Sequence, residues 1–220
     1  ERVPLRADGR VLSYLPLAHV AERALVEFGL LATGAHVYFA DSIATFVEDL
    51  QRARPTVFFS VPRLWVKFRD AIVARLPEQR LRRLLRVPLL GSLVRRKVLR
   101  ALGLDQCLCA IGGAAPMPPH VLQFFDGLGL PIMEIYGMTE NGVLSHSTLG
   151  FLRPGTVGWT FAGVQARIDA ATGEIQLRSG AIMPGYFRDP EATLAAFTPD
   201  GWLRTGDLGV LEDDGALRIT

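Results

Sequence analysis

The chain has 220 residues, of which 49% are hydrophobic, 21% charged and 9% aromatic, with a formal net charge of +2. That is ample apolar material for a core and excludes intrinsic disorder; 22 Gly and 14 Pro scattered without a period exclude collagen-like and low-complexity chains. No apolar run reaches the roughly 18 to 20 residues of a membrane-spanning helix, and no charged-then-apolar signal segment opens the chain, so a membrane-spanning or secreted protein is not expected.

Two cysteines, Cys107 and Cys109, are too few for a disulfide framework and lack the second ligand pair of a zinc site. Reduced core thiols in a cytoplasmic protein are expected. The chain starts at Glu1 and ends at Arg218-Ile219-Thr220, in the middle of an apolar alternation. A piece of a longer protein is therefore expected.

In chain order, Val11 to Leu15 reads as a strand, and Ala18 to Leu31 as a helix with Val20, Ala24, Leu25, Phe28 and Leu31 on one face, stopped by Gly34. Val37 to Phe39 is a short buried strand. Ile43, Phe46, Val47 and Leu50 have helical spacing behind the cap candidates Asp41 and Ser42, and Pro55 separates this helix from a strand at Thr56 to Ser60. A helix follows from Pro62 to Leu76.

From Arg75 to Arg100, nine Arg or Lys face the single acid Glu78, a local charge of +8 that leaves −6 for the remainder. Leu81, Leu84, Leu85, Leu89, Leu90, Leu93 and Val94 interleave with these charges, predicting two short basic amphipathic helices around Pro88 and Gly91. Such a pattern suits an anionic membrane surface or ligand; the alternative is a solvated face on a helix packed against its own protein.

Cys107 to Ile111 is then a strand, Pro118 to Phe125 a helix with Pro in its first turn, and Pro131 to Ile135 a strand. These repeated βα units predict an α/β fold with a mainly parallel sheet and flanking helices over 1–150. Residues 151–220 read as a β-rich subdomain. Val164 to Ile168 and Glu174 to Leu177 form a hairpin, Asp213-Asp214-Gly215 turns between Leu208 to Leu211 and Ala216 to Ile219, and one helix spans Glu191 to Phe197.

Four segments carry candidate chemistry. Tyr136-Gly137-Met138-Thr139-Glu140 ends a buried strand, where parallel sheets bind ligands; the ring can stack on a base, the hydroxyl can bond a phosphate oxygen, and the carboxylate can hold Mg2+. Gly112-Gly113-Ala114-Ala115 leaves room for a flat ligand, although a tight strand-to-helix turn needs glycine anyway. In Gly201-Trp202-Leu203-Arg204-Thr205-Gly206-Asp207 the carboxylate can accept both hydroxyls of a ribose, or belong to a plain Asp-Gly turn. His19 lies between a strand and a helix, as a site residue or a helix start.

Two other enzyme classes are disfavoured. No Gly-x-Ser-x-Gly elbow accompanies Ser145-His146, which argues against a hydrolase, and no Gly-x-Gly-x-x-Gly follows a strand, which argues against a dinucleotide oxidoreductase.

Taken in order, these segments resemble the adenylate-forming superfamily of acyl- and aryl-CoA ligases, luciferases and peptide-synthetase adenylation domains. Tyr136 to Glu140 is similar to its Tyr-Gly-x-Thr-Glu motif, Thr205-Gly206-Asp207 to its Thr-Gly-Asp motif, and Gly112 to Ala115 to its adenine-side turn. Pro154 to Gly158, Gly163-Val164, Gly173-Glu174-Ile175 and Gly185-Tyr186 through Thr193 fill the expected intervals. Leu15 to Arg23 and Val61 to Trp65 look like the long-chain fatty acid branch, with Val66 and Asn141-Gly142 as departures that leave chain length open.

The resemblance implies an incomplete adenylate-forming fold within a ligase that joins a fatty acid to CoA at the expense of ATP, with Mg2+ and through an acyl-adenylate. Another acyl- or aryl-acid adenylating enzyme, or a non-catalytic membrane- or partner-binding module, are the alternatives. By motif, Tyr136 with Gly137 would stack on adenine, Thr139 would contact the α-phosphate, Glu140 would hold Mg2+, and Asp207 would bind the ribose. Gly113, Ala114 and Ala115 would border adenine and the acyl head, with His19 near the reacting carboxylate. The family's phosphate loop and its C-terminal catalytic lysine are not found within the chain, so these residues alone are expected to be inactive. No nucleic-acid partner is expected; peripheral contact with the inner membrane surface through 75–100 is one of the two readings of the basic segment, beside the solvated face.

Overall fold

The computed structural model describes residues 5–146 and 153–220. The chain forms two compact units, Glu1–Met133 and Glu134–Thr220. The boundary expected near residue 150 lies outside the described residues.

In the first unit, β1 (Arg10–Ser13) pairs in parallel with β2 (His36–Phe39). The helix between them is continuous from Val20 to Thr33 but changes pitch. An α-helical start, α1 (Val20–Glu22), passes through a wide π-type stretch at Arg23–Phe28 into α2 (Gly29–Thr33), which ends at Gly34. The face expected here from Val20, Ala24, Leu25, Phe28 and Leu31 is not the buried one: Ala21, Glu22 and Val26 are buried, while Ala24, Phe28 and Leu31 are exposed. The next helix, α3 (Phe46–Ala53), starts later than Ile43. Ser42 and Thr45 exchange hydrogen bonds through their side chains and backbone, which holds a turn and leaves Ile43 98% exposed. Local polar bonding here defeats apolar periodicity.

The second parallel pair is β3 (Val57–Ser60) with β4 (Cys109–Gly112), both buried along their length. Between them run α4 (Pro62–Arg75), α5 (Glu78–Leu85) and α6 (Leu90–Leu102), and α7 (Pro119–Gly127) follows β4. Pro62 occupies the first turn of α4, where its missing N–H costs nothing. Trp65 on α4 is fully buried, donates from Nε1 to the Ile111 carbonyl at 3.3 Å, and meets Phe125 of α7 edge-on at 4.9 Å. Phe58, Trp65 and Phe125 are among its largest fully buried side chains, each contributing about 1.5–3 kcal/mol. Cys109 is buried in this core, and burial pushes its thiol up to about 11 and that of Cys107 to about 12, so both stay protonated at neutral pH. The expectation of small core thiols fits this chemistry.

Strand β5 (Ile132–Met138) starts in the last two residues of the first unit and runs into the second, where it, β6 (Gly142–His146) and β7 (Trp159–Thr160) pair antiparallel in succession. The segment after Met138 is therefore a hairpin turn. A four-stranded antiparallel sheet follows in the order β11-β10-β9-β8, from β8 (Gln165–Ile168), β9 (Glu174–Arg178), β10 (Leu203–Leu211) and β11 (Leu217–Ile219). Helix α8 (Pro190–Ala196) precedes β10 and is capped by the Asp189 carboxylate, which accepts from the Ala192 N–H. Tyr136, Ile175, Leu177, Leu203 and Leu217 form the unit's core. Among the described residues no helix is long and apolar enough to cross a membrane.

Candidate functional site

Tyr136 of β5 is buried in the second unit's core, and its hydroxyl donates to Asp207 Oδ2 at 2.6 Å. Two motifs 71 residues apart thereby meet at one hydrogen bond. Burial first, and the facing Asp207 carboxylate second, push the phenol well above its usual range, so it remains a donor at all ordinary pH. Asp207 itself is exposed, with its other oxygen available to a ligand.

Asp207 is presented by a β-bulge rather than by a plain Asp-Gly turn. Strand β10 runs through the whole motif, and its register with β9 shifts between Arg204 and Leu208. The extra residues cannot pair as a ladder, so the bulge redirects Asp207. Gly206 takes φ 75°, a left-handed conformation that glycine adopts without strain, and its N–H donates to Glu174 Oε1 at 2.9 Å. Thr205 braces the other side, donating to the Ile175 carbonyl at 2.7 Å and accepting from the Asp207 N–H at 3.1 Å.

Thr139 and Glu140 occupy the turn between β5 and β6, with Thr139 and Gly137 exposed and Glu140 half-buried. The Glu140 carbonyl accepts from the Met183 N–H at 2.8 Å, and its Oε1 accepts from the Tyr186 hydroxyl at 2.9 Å. That bond to Glu140 holds the Tyr186 phenol above its ordinary value. Tyr186 is itself placed by α8, since its N–H donates to Thr193 Oγ1 at 2.9 Å. Gly185 is required beside it, with φ 150° and a Cβ position only 2.7 Å from Thr193 Cγ2. The neighbouring Asn141 is buried and accepts from Ser179 Oγ at 3.3 Å, tying down the turn's far side.

The remaining candidates lie in the first unit. Gly113, Ala114 and Ala115 follow β4 directly, Gly113 buried and the two alanines exposed. Ala114 has φ 65°, a conformation that costs a non-glycine residue about 1–3 kcal/mol. Replacing Ala114 with Gly is expected to raise the unfolding free energy by about 1 kcal/mol, the relieved strain exceeding glycine's added chain entropy. Urea denaturation measures this, and a loss of stability would contradict the strain. His19 caps α1, its Nδ1 accepting from the Ala21 N–H at 3.2 Å, with the ring 6.0 Å from that of Phe59. The bond fixes Nδ1 as the acceptor.

The sequence profile of the AMP-binding enzymes matches residues 1–187. The chain belongs to the AMP-binding enzyme family. It is 34% identical to the long-chain-fatty-acid–CoA ligase FadD15 of Mycobacterium tuberculosis, with 98% of this chain and 40% of that protein covered. It is 35% identical to the long-chain-fatty-acid–CoA ligase ACSBG2 of Gallus gallus, with 96% and 32% covered. Among solved structures it resembles a malonyl-CoA ligase in a ternary product complex with methylmalonyl-CoA and AMP, at 29% identity and a TM-score of 0.74, covering 98% of this chain and 44% of that one. A carboxylic acid reductase didomain from Segniliparus rugosus in complex with AMP gives 25% identity and a TM-score of 0.74, with 96% and 30% covered. The chain thus spans less than half the length of each of these relatives. The α/β adenylate-forming fold agrees with the sequence reading.

For an AMP-binding enzyme, the Tyr136–Asp207 bond anchors an exposed carboxylate, of the kind that a ribose would need, to an aromatic ring that is itself buried. Among the described residues no three His, Cys, Asp or Glu side chains converge as a metal cage. A single half-buried carboxylate such as Glu140 still fits Mg2+, which binds through one or two carboxylates together with substrate phosphates and water. Tyr186 and Thr205 were missed as supports in the sequence reading, although both stood inside motifs already singled out.

Proposed function

We propose that this chain supplies the nucleotide-binding part of a long-chain fatty acid–CoA ligase. In the first half-reaction a carboxylate oxygen of the fatty acid attacks the α-phosphorus of ATP and pyrophosphate leaves; in the second the CoA sulfur attacks the acyl carbon and AMP leaves. The fatty acid is already ionised at neutral pH, so the first step needs no general base. Catalysis then rests on positioning and on stabilising phosphate charge.

Tyr136 with Gly137 faces the adenine, Asp207 accepts the ribose hydroxyls, and Thr139 donates to the α-phosphate. Glu140 would hold Mg2+, which neutralises phosphate charge when bound. Gly113, Ala114 and Ala115 border the adenine and the acyl head, and His19 stands near the fatty carboxylate. The observation that carries this reading is the Tyr136–Asp207 hydrogen bond, because it unites the two motifs that contact one nucleoside. Long-chain acids are favoured by the likeness to relatives named for them.

The test is fatty-acid-dependent exchange of pyrophosphate into ATP by the ligase that carries this chain, across acids from malonate to long saturated chains. Exchange strongest with the long chains is expected; none with any carboxylate would overturn the reading. The 220 residues alone are expected to release no pyrophosphate, since the phosphate loop and catalytic lysine of the family are not among them. Turnover by the isolated chain would contradict that.

A further inference from the structure

The most basic stretch of the first unit folds as a helical hairpin, α5 and α6, whose connecting turn is apolar and open to solvent. Leu89 is 83% and Leu93 63% exposed, beside the exposed Val87 and Leu90. Leu89 sits at φ 63°, a strained conformation for a branched-chain residue, in the residue that caps α6. The hairpin is held from within by Leu81 and Gly91, both buried, so the exposed leucines are surplus to its packing.

At roughly 100° per residue, Leu93, Arg96, Lys97 and Arg100 share one stripe of α6, and Leu89 precedes it as the cap. Across the turn, Arg83 and Arg86 are exposed near the end of α5. Glu78 is engaged by Arg82 and Arg69, each at 2.6 Å, while Arg83, Arg86, Arg96, Lys97 and Arg100 have no acidic partner among the described residues. An uncompensated +8 segment in a chain otherwise at −6 turns this face toward negative surfaces.

We propose that the α5–α6 hairpin is a docking surface for an anionic phospholipid bilayer. The leucines of the turn enter the boundary between headgroups and acyl chains, and the flanking guanidinium groups bond lipid phosphates bidentately. An acidic protein surface would satisfy the arginines but gives the exposed leucines of the turn no comparable apolar medium. The proposal does not rest on the nucleotide reading.

The test is cosedimentation of the 220-residue chain with phosphatidylcholine vesicles, with and without about a third phosphatidylserine. Binding to the anionic vesicles alone is expected at about 0.01 M salt and is lost near 1 M, as the screening length falls from about 30 Å to about 3 Å. L89S/L93S weakens binding at least about tenfold, and each charge reversal in R96E/R100E about fivefold or more. Arg188→Glu, a single charge reversal in the second unit, leaves it unchanged. All replaced side chains are exposed, and an unaltered thermal melt verifies folding. Equal sedimentation with neutral vesicles, no binding at low salt, or full binding by R96E/R100E would overturn the proposal. So would self-association or capture of an acidic protein through the hairpin without vesicle binding.

Discussion

Replacing Asp207 with alanine is expected to lower the affinity of the chain for AMP by about 100-fold. Hydrogen bonds to a charged acceptor contribute about 1.5–3 kcal/mol each, and two ribose hydroxyls are available to donate. One carboxylate oxygen also accepts from Tyr136, so a total near 3 kcal/mol, about 100-fold, is the reasonable expectation. Tyr136→Phe keeps the ring and the carboxylate but removes the bond that orients Asp207, and is expected to cost about tenfold. Calorimetric titration distinguishes the two. Asp207 is exposed and its loss leaves the fold's core intact, although the buried Tyr136 hydroxyl then lacks its acceptor at a cost of about 1–3 kcal/mol. A melting curve separates that instability from lost binding. Unchanged AMP affinity in Asp207→Ala would remove the ribose role.

In the complete ligase, Glu140→Gln is expected to slow acyl-CoA formation by about 100- to 1000-fold, the usual penalty for losing one element of charge stabilisation. The substitution keeps the size of the side chain and can still accept from the Tyr186 hydroxyl, so the turn between β5 and β6 stays in place. AMP affinity measured without Mg2+ should hardly change. Tyr186→Phe should instead act on the metal dependence, moving the Mg2+ concentration for half-maximal rate while leaving the saturated rate close to its original value. Thioester formation followed across a Mg2+ series tests both. Undiminished turnover by Glu140→Gln would refute a metal role for this carboxylate.

Much of the arrangement is legible in the residues before any geometry. The strands at Val57–Ser60 and Cys109–Gly112, buried throughout, announce themselves as short apolar runs between helices, and Pro62 and Pro119 mark helix starts. The motif residues Tyr136 and Asp207 were singled out from their chemistry, and the structure joins them. Other features depend on contacts that periodicity does not carry. Ile43 has helical spacing, yet the Ser42–Thr45 exchange forms a turn that leaves it in solvent. Thr205-Gly206-Asp207 looks like a turn because it contains glycine; it is a bulge because Glu174 and Ile175 of the neighbouring strand take its polar groups. Tyr186 reaches Glu140 across 46 residues, a partnership that depends on where α8 places Thr193.

The most direct test of a nucleoside site built on Tyr136 and Asp207 is titration of the 220-residue chain with AMP and, in parallel, with 2′,3′-dideoxy-AMP. Saturable binding of AMP with the dideoxy analogue at least about tenfold weaker is the expected result, since only AMP has the hydroxyls that Asp207 accepts. Equal affinity for the two nucleotides, or no binding of either, would contradict it.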